Sequence, residues 1–161
     1  MKNARIVSAL LALTAAGCAA MAGGRNVVHA PRVRSAADRQ AELSLSPGGT
    51  PSAATLRLFA RIHNPNHGKL NLNEIKGSLF LAGQPAADVD APLDLELKGR
   101  EETVVPIDVK VPLDKDPSLA RTLAPGAVVA YRVDGTMGVE TRQGEPVFGP
   151  LTLLEGEARV H

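Results

Sequence analysis

The sequence predicts an all-β domain with one short helix, an antiparallel β-sandwich of about seven strands of the immunoglobulin or fibronectin type III kind. Three observations predict it. Apolar and polar residues alternate with a period of two along most of the chain from Asp38 onward. Gly, Pro or Asn bounds each run, and turn signals return roughly every 8 to 12 residues, the spacing of a sandwich. The chain has 161 residues, 44% of them hydrophobic and 2% aromatic, which suits one core of Val and Leu and leaves too little chain for a second domain.

The elements follow in order. Leu43 and Leu45 alternate with Glu42, Ser44 and Ser46, and Pro47-Gly48-Gly49 turns the chain. Leu56, Leu58, Ala60 and Ile62 then form an inward row, with Phe59 on the outward row. Leu79 and Leu81 belong to a third strand ending at Gly83, and Leu93, Leu95 and Leu97 to a fourth ending at Gly99-Arg100. Val105, Ile107, Val109 and Val111 face the core in the fifth; Pro106 on its outer row points to an edge or a bulge, because proline cannot donate to a sheet ladder. Asp116 as N-cap, Pro117 at the first helical position, the Leu119/Leu123 spacing and the Pro125-Gly126 stop predict a helix of about two turns. Val129, Tyr131, Val133, Met137 and Val139 keep one parity along a long strand, with Gly135 and Gly138 as points of bending. In the last strand Leu151 and Leu153 are odd while Ala158 and Val160 are even, so a β-bulge near Leu154 is required.

The N-terminus reads as an export signal. Lys2 and Arg5 form a positive region, Ile6 to Ala16 an apolar run, and small residues precede Cys18. A spanning helix needs about 20 apolar residues, and Gly23, Gly24, Arg25 and Asn26 come too soon for one. Leu13-Thr14-Ala15-Ala16-Gly17-Cys18 resembles the lipobox of bacterial lipoproteins, in which the cysteine after the cut is acylated; Ala15 stands where leucine is usual. The competing reading is an ordinary secretory signal cut near Ala20 or Ala22, which would leave Cys18 in the discarded peptide. On the lipoprotein reading, residues 1–17 are the signal peptide, 18–37 the lipidated Cys18 and a flexible tether, and 38–161 the domain. A tether of this length reaches at most roughly 65 Å. Ala19 is not an aspartate retention signal, and by resemblance to known sorting rules the expected location is the cell envelope, lipid-anchored on the outer membrane and facing the periplasm.

The charge balance narrows the function. With 18 Lys+Arg against 17 Asp+Glu and few aromatics, the chain lacks the clustered positive excess and stacking platforms of a nucleic-acid binder. Removal of Lys2 and Arg5 with the signal takes no acid and leaves a net charge of −1. The single cysteine excludes an intramolecular disulfide.

Leu56-Arg57-Leu58-Phe59-Ala60-Arg61-Ile62-His63-Asn64-Pro65-Asn66 resembles the first block of the late embryogenesis abundant group 2 domain, also called the water stress and hypersensitive response domain. Matching blocks follow in order at Leu70-Asn71-Leu72, at 77–84, at 104–109, at Tyr131-Arg132-Val133-Asp134-Gly135-Thr136 and at Gly156. The resemblance implies a seven-stranded sandwich with a short helix, a desiccation or stress-related role, no enzymatic activity and, in bacterial members, lipidation. Within it Asn64, Pro65 and Asn66 are read as a rigid structural corner, since Asn side chains bond nearby backbone and proline fixes φ.

No catalytic constellation is found. There is no Gly-x-Ser-x-Gly elbow, and neither Gly23-Gly24 nor Gly48-Gly49 is followed by the lysine and helix of a phosphate loop. His63 and His67 lack a third metal ligand, so no cofactor or metal is expected. The expected partner is a membrane, through lipidated Cys18, with an envelope protein or lipid as a further partner and no nucleic acid. Two functions follow: an anchored, non-enzymatic domain that protects the envelope under water loss or docks a partner, or a module that holds a lipid or other hydrophobic ligand between its sheets.

Overall fold

Eight strands and one helix follow one another in the order β1 (Arg32–Ser35), β2 (Ala41–Leu45), β3 (Ala53–His63), β4 (Leu70–Leu81), β5 (Gln84–Leu97), β6 (Glu102–Pro112), α1 (Pro117–Thr122), β7 (Val128–Glu140) and β8 (Val147–Val160). The structure is a computed structural model, and it describes residues 27–48 and 51–161. The signal peptide and Cys18 lie outside the described residues, as does Gly49 of the first predicted turn.

The all-β class with one short helix is as expected, and β3 organises it. Along one edge β3 pairs with β6 over its whole length. Its other edge is shared, by β1 at residues 60–63 and by β2 at residues 54–57. From β2 the sheet continues through β8, β7 and β4 to β5. The outermost strands, β5 and β6, come back into contact, so one hydrogen-bonded sheet bends over a single core. Because β1 and β2 occupy one lateral position, the eight strands fill seven places, matching the strand count read from the sequence.

Three details of strand extent and pairing differ from the sequence reading. Of the residues assigned to the tether, Arg32–Ser35 form a strand on β3, so the ordered domain starts before Asp38. Val33 is the one apolar side chain in this strand, too little for periodicity to reveal it. Second, β2 and β8 run parallel, unlike every other pair. No short connection joins them, so no hairpin dictates their direction. Third, β4 and β5 are longer than their leucine runs, and bulges interrupt their pairing where Asp94 takes φ 44° and next to Pro85.

The inward rows make an aliphatic core. Leu43, Leu56, Leu58, Ile62, Leu72, Ile75, Leu79, Leu81 and Leu97 are fully buried, each contributing about 1.5–3 kcal/mol by leaving water. Tyr131 is the one aromatic side chain buried among the described residues. Its ring covers Gly156 on the neighbouring strand, and its hydroxyl donates to Ser35 Oγ at 2.9 Å, which in turn donates to the Glu155 carbonyl at 2.7 Å. Phe59 and Phe80 lie outward under the guanidinium groups of Arg39 and Arg132, 5.4 and 4.7 Å from the ring centres. The bulge expected near Leu154 is present: the register against β7 shifts there, and Leu153 and Leu154 are both buried. Leu151, expected inside, is 46% exposed, because a second register shift between Gly135 and Met137 turns the start of β8 away from the core.

Gly135 has a different reason from the bend expected of it. Gly135 pairs directly with Gly77, and a Cβ on either would fall into the backbone of the other strand, so the two glycines permit a close approach of β4 and β7. The β4–β5 turn consists of Ala82 and Gly83, with φ of 48° and 78°. This is the left-handed pair favoured in two-residue hairpins, and alanine is strained in it.

The helix forms as its caps dictate. Asp116 Oδ1 accepts from the Ser118 and Leu119 N–H groups, and Leu119 and Leu123 are buried under the domain's end. On the outer face of β1, β3 and β6, Arg57 is bidentate to Asp108 at 2.8 Å, and Arg61 bridges Asp38 and Glu102. The guanidinium partners hold the Glu102 and Asp108 carboxyls below the usual carboxylate range, and the Ser118 hydroxyl does the same for Asp116.

Two outcomes are expected from these features. Gly135→Ala lowers stability by about 2–3 kcal/mol through backbone overpacking, whereas Ala82→Asn raises it by about 0.5–1 kcal/mol by relieving the turn, both read from urea unfolding midpoints. The paired carboxyls have folded pKa values below their unfolded ones, so their contribution is complete above roughly pH 5, beyond the unfolded carboxylate values, and is lost as pH falls through the folded values. A melting temperature that declines on acidification below about pH 5, less steeply in Glu102→Gln, is the expected result.

Candidate functional site

Asn64 directly follows β3 and is the one buried polar residue among those described, with 0% exposure. Its side-chain amide is hydrogen-bonded on every side. Nδ2 donates to the carbonyls of Gly68 at 2.9 Å, Lys98 at 3.0 Å and Leu97 at 3.2 Å. Oδ1 accepts from the backbone N–H and the Nδ2 of Asn66, both at 2.9 Å. The Asn64 backbone N–H donates to the Glu101 carbonyl at 2.9 Å. One residue thus ties the end of β3 to its following loop, to the end of β5 and to the β5–β6 turn.

The rest of this loop end is built on that tie. The Arg100 N–H donates to the Asn66 carbonyl at 3.0 Å, and Gly99 passes so close to the His67 carbonyl that no Cβ fits. Asn66 reaches outward to the chain's first described segment: its Oδ1 accepts from the His29 N–H at 2.8 Å, and its Nδ2 donates to the His29 carbonyl at 2.9 Å. This pair of bonds resembles a step of sheet pairing made by a side chain. Residues 27–30 are held against the loop in consequence.

Between these segments and the β7–β8 turn at Thr141–Gln143 lies an open cleft of about 900 Å³. Its titratable lining is all basic: His29, Arg32, His67, Lys69, Arg100 and Arg142. No carboxylate lines it among the described residues, and the sequence holds no Asp or Glu before Asp38. Lys69 is paired with Glu96 at 2.8 Å, which lies behind it and is held below the usual carboxylate range by that lysine. Arg100 Nη2 lies 3.0 Å from His67 Nε2. A guanidinium only donates, so the imidazole nitrogen accepts and Arg100 keeps its other donors for a ligand. Arg32, Arg100 and Arg142 have no carboxylate partner among the described residues. Among those same residues, no group of three or more His, Cys, Asp or Glu is placed to hold a metal ion.

The sequence pointed to part of this. Asn64, Pro65 and Asn66 come together as a corner, with Asn64 inside, Asn66 bridging to His29 and Pro65 on the cleft wall. The sequence reading missed the cationic cleft, because its basic residues come from four separated stretches of a chain whose net charge is near zero. A second, smaller hollow of about 400 Å³ lies beside α1 at the opposite end, walled by Pro51, Leu113, Pro117 and Arg121 among others.

Replacing Asn64 by Asp exchanges both N–H donors for acceptors that face three carbonyl oxygens. Asn64→Asp is therefore expected to cost about 3 kcal/mol or more in urea unfolding, and Asn66→Ala, whose bonds lie near water, only about 1 kcal/mol.

A solution structure of a protein from Arabidopsis thaliana superposes with a TM-score of 0.56 at 20% identity, covering 74% of this chain and 78% of that one, which shows a shared fold. A crystal structure of a protein from Archaeoglobus fulgidus matches with a TM-score of 0.46 at 16% identity over 74% of this chain and 94% of that one. No curated protein matches the chain. The family model described as late embryogenesis abundant protein matches residues 59–145, a span that takes in the Asn-Pro-Asn corner, the glycine pair and part of the cleft. With over half of its length inside that match, the chain belongs to the late embryogenesis abundant protein family.

Proposed function

We propose that this water-stress-related domain works as a non-enzymatic lipoprotein, tethered through Cys18 to a membrane of the cell envelope. There it protects the envelope under water loss or docks a partner. The domain assignment rests on the family, which is generally non-enzymatic. The observation that carries the tethering is where the chain enters the domain. Residues 27–30 lie against the Asn-Pro-Asn loop, fastened by the His29–Asn66 bonds, so an anchor upstream would turn this end of the domain toward the membrane.

Formation of β1 also shortens the tether. From Cys18 to Val27 the chain reaches at most about 30 Å, half of what a tether ending at residue 37 would allow. The domain is then held within one diameter of the bilayer, a position that suits shielding or short-range docking there.

The sheet edges favour this end as the working surface. Pro85 and Pro92 lie in β5 and Pro106 in β6, and bulges break the ladder of β5, so both outermost strands are poor templates for adding a partner strand. The main cleft is cationic rather than apolar, which favours the anchored domain over a carrier of hydrophobic ligands.

Cys18→Ser is the direct test of the anchor. The wild-type chain is expected to follow the detergent phase and the membrane fraction, with an acyl mass on a chain starting at Cys18; the variant is expected to lose that mass. An unmodified wild-type N-terminus would refute the anchoring.

A further inference from the structure

We propose that the cationic cleft at the Asn64 end is a docking site for the phosphate groups of anionic phospholipids on the surface that carries the anchor; this rests on the reading of Cys18 as lipidated. Arg32, Arg100 and Arg142 reach the cleft from β1, the β5–β6 turn and the β7–β8 turn, and no carboxylate on the described residues neutralises them. Guanidinium groups match phosphate oxygens with paired donors, and clustered ones bind phosphate more readily than carboxylate-paired ones. The arginines on the outer face of β3 show the contrast: Arg57 and Arg61 are spent on Asp108, Asp38 and Glu102.

The cleft is also held in shape before any ligand arrives. The Asn64 amide fixes the 65–68 and 98–101 segments relative to each other, and Arg100 is set at φ 65° by that turn. A rigid arrangement binds with less ordering cost. Two features select a lipid surface over free phosphate. Val27 and Val28 line the same cleft, with Val27 72% exposed, and an apolar rim suits the interface of a bilayer rather than a dissolved ion. The chain leading to Cys18 leaves from this rim, so the anchor brings the cleft and the headgroups within reach of each other.

The test uses the full protein purified from its host membranes and reconstituted into vesicles of phosphatidylglycerol or of phosphatidylcholine. Modification of arginines by phenylglyoxal is followed residue by residue by mass spectrometry. Arg100 and Arg142 are expected to react about fivefold more slowly on phosphatidylglycerol, as a basic residue near an anionic surface gains roughly that factor in binding. Arg121, in α1 at the other end, is expected to react equally on both, and added salt to remove the difference. Equal rates at Arg100 and Arg142 on the two vesicles would overturn the proposal. Protection by inorganic phosphate in solution without protection by phosphatidylglycerol would overturn the lipid assignment.

Should the purified chain carry no acyl group, the anchoring reading fails separately. The cleft is then decided by cosedimentation of that same chain with the two vesicles. A preference for phosphatidylglycerol that falls by about fivefold for each of Arg100→Asn and Arg142→Gln supports it, asparagine being chosen because it tolerates positive φ. Equal partition overturns it.

Discussion

One buried amide sets the geometry of the end of the domain where function is proposed. Asn64 carries two donors and one acceptor into an aliphatic core, and burying them without partners would cost several kcal/mol. The fold meets that demand with backbone carbonyls from β5 and the 65–68 loop and with N–H groups from Asn66. The same bonds that satisfy Asn64 fix three chain segments in one arrangement. Everything on that end follows from it: Arg100 in its turn, Gly99 against His67, and Asn66 aimed outward to hold residues 27–30.

The rest of the sheet answers a second constraint, that a chain with few aromatics must close its core almost entirely with aliphatic side chains. Leu, Val and Ile are short, so the strands must approach closely. Gly77 and Gly135 remove the Cβ atoms that would keep β4 and β7 apart, and Gly156 leaves room for the ring of Tyr131. Bulges at the β4–β5 and β7–β8 pairs add the curvature that brings β5 round to β6. Phe59 and Phe80 lie outside beneath arginines, so their rings add packing without occupying the core, while Phe148 packs half-buried against it.

How much of this was legible in the sequence depends on whether a feature is local. Alternating rows such as Leu56-Leu58-Ala60-Ile62 and Val129-Tyr131-Val133 read directly as strands, and the Asp116-Pro117 start of α1 as a cap, because period and capping are short-range signals. The parity change in β8 even disclosed its bulge at Leu153/Leu154. Strand β1 was hidden, since four residues with one apolar side chain make no pattern without β3 beside them. The parallel β2–β8 pair was hidden for the same reason, being a contact across most of the chain. At the candidate site, the Asn-Pro-Asn triplet was visible as a corner. The burial of Asn64 depended on β5 folding over it, and the cationic cleft on four distant stretches meeting there.

The most direct measurement is the exchange of the Asn64 side-chain amide protons with solvent, followed by NMR in the native protein. Hydrogen-bonded to Gly68, Leu97 and Lys98 and shut off from water, they are expected to exchange orders of magnitude more slowly than those of the surface amide Gln143, at a rate set by opening of the core. Exchange as fast as at Gln143 would mean that the amide is not locked inside, and the loop end would lose the constraint on which the cleft depends.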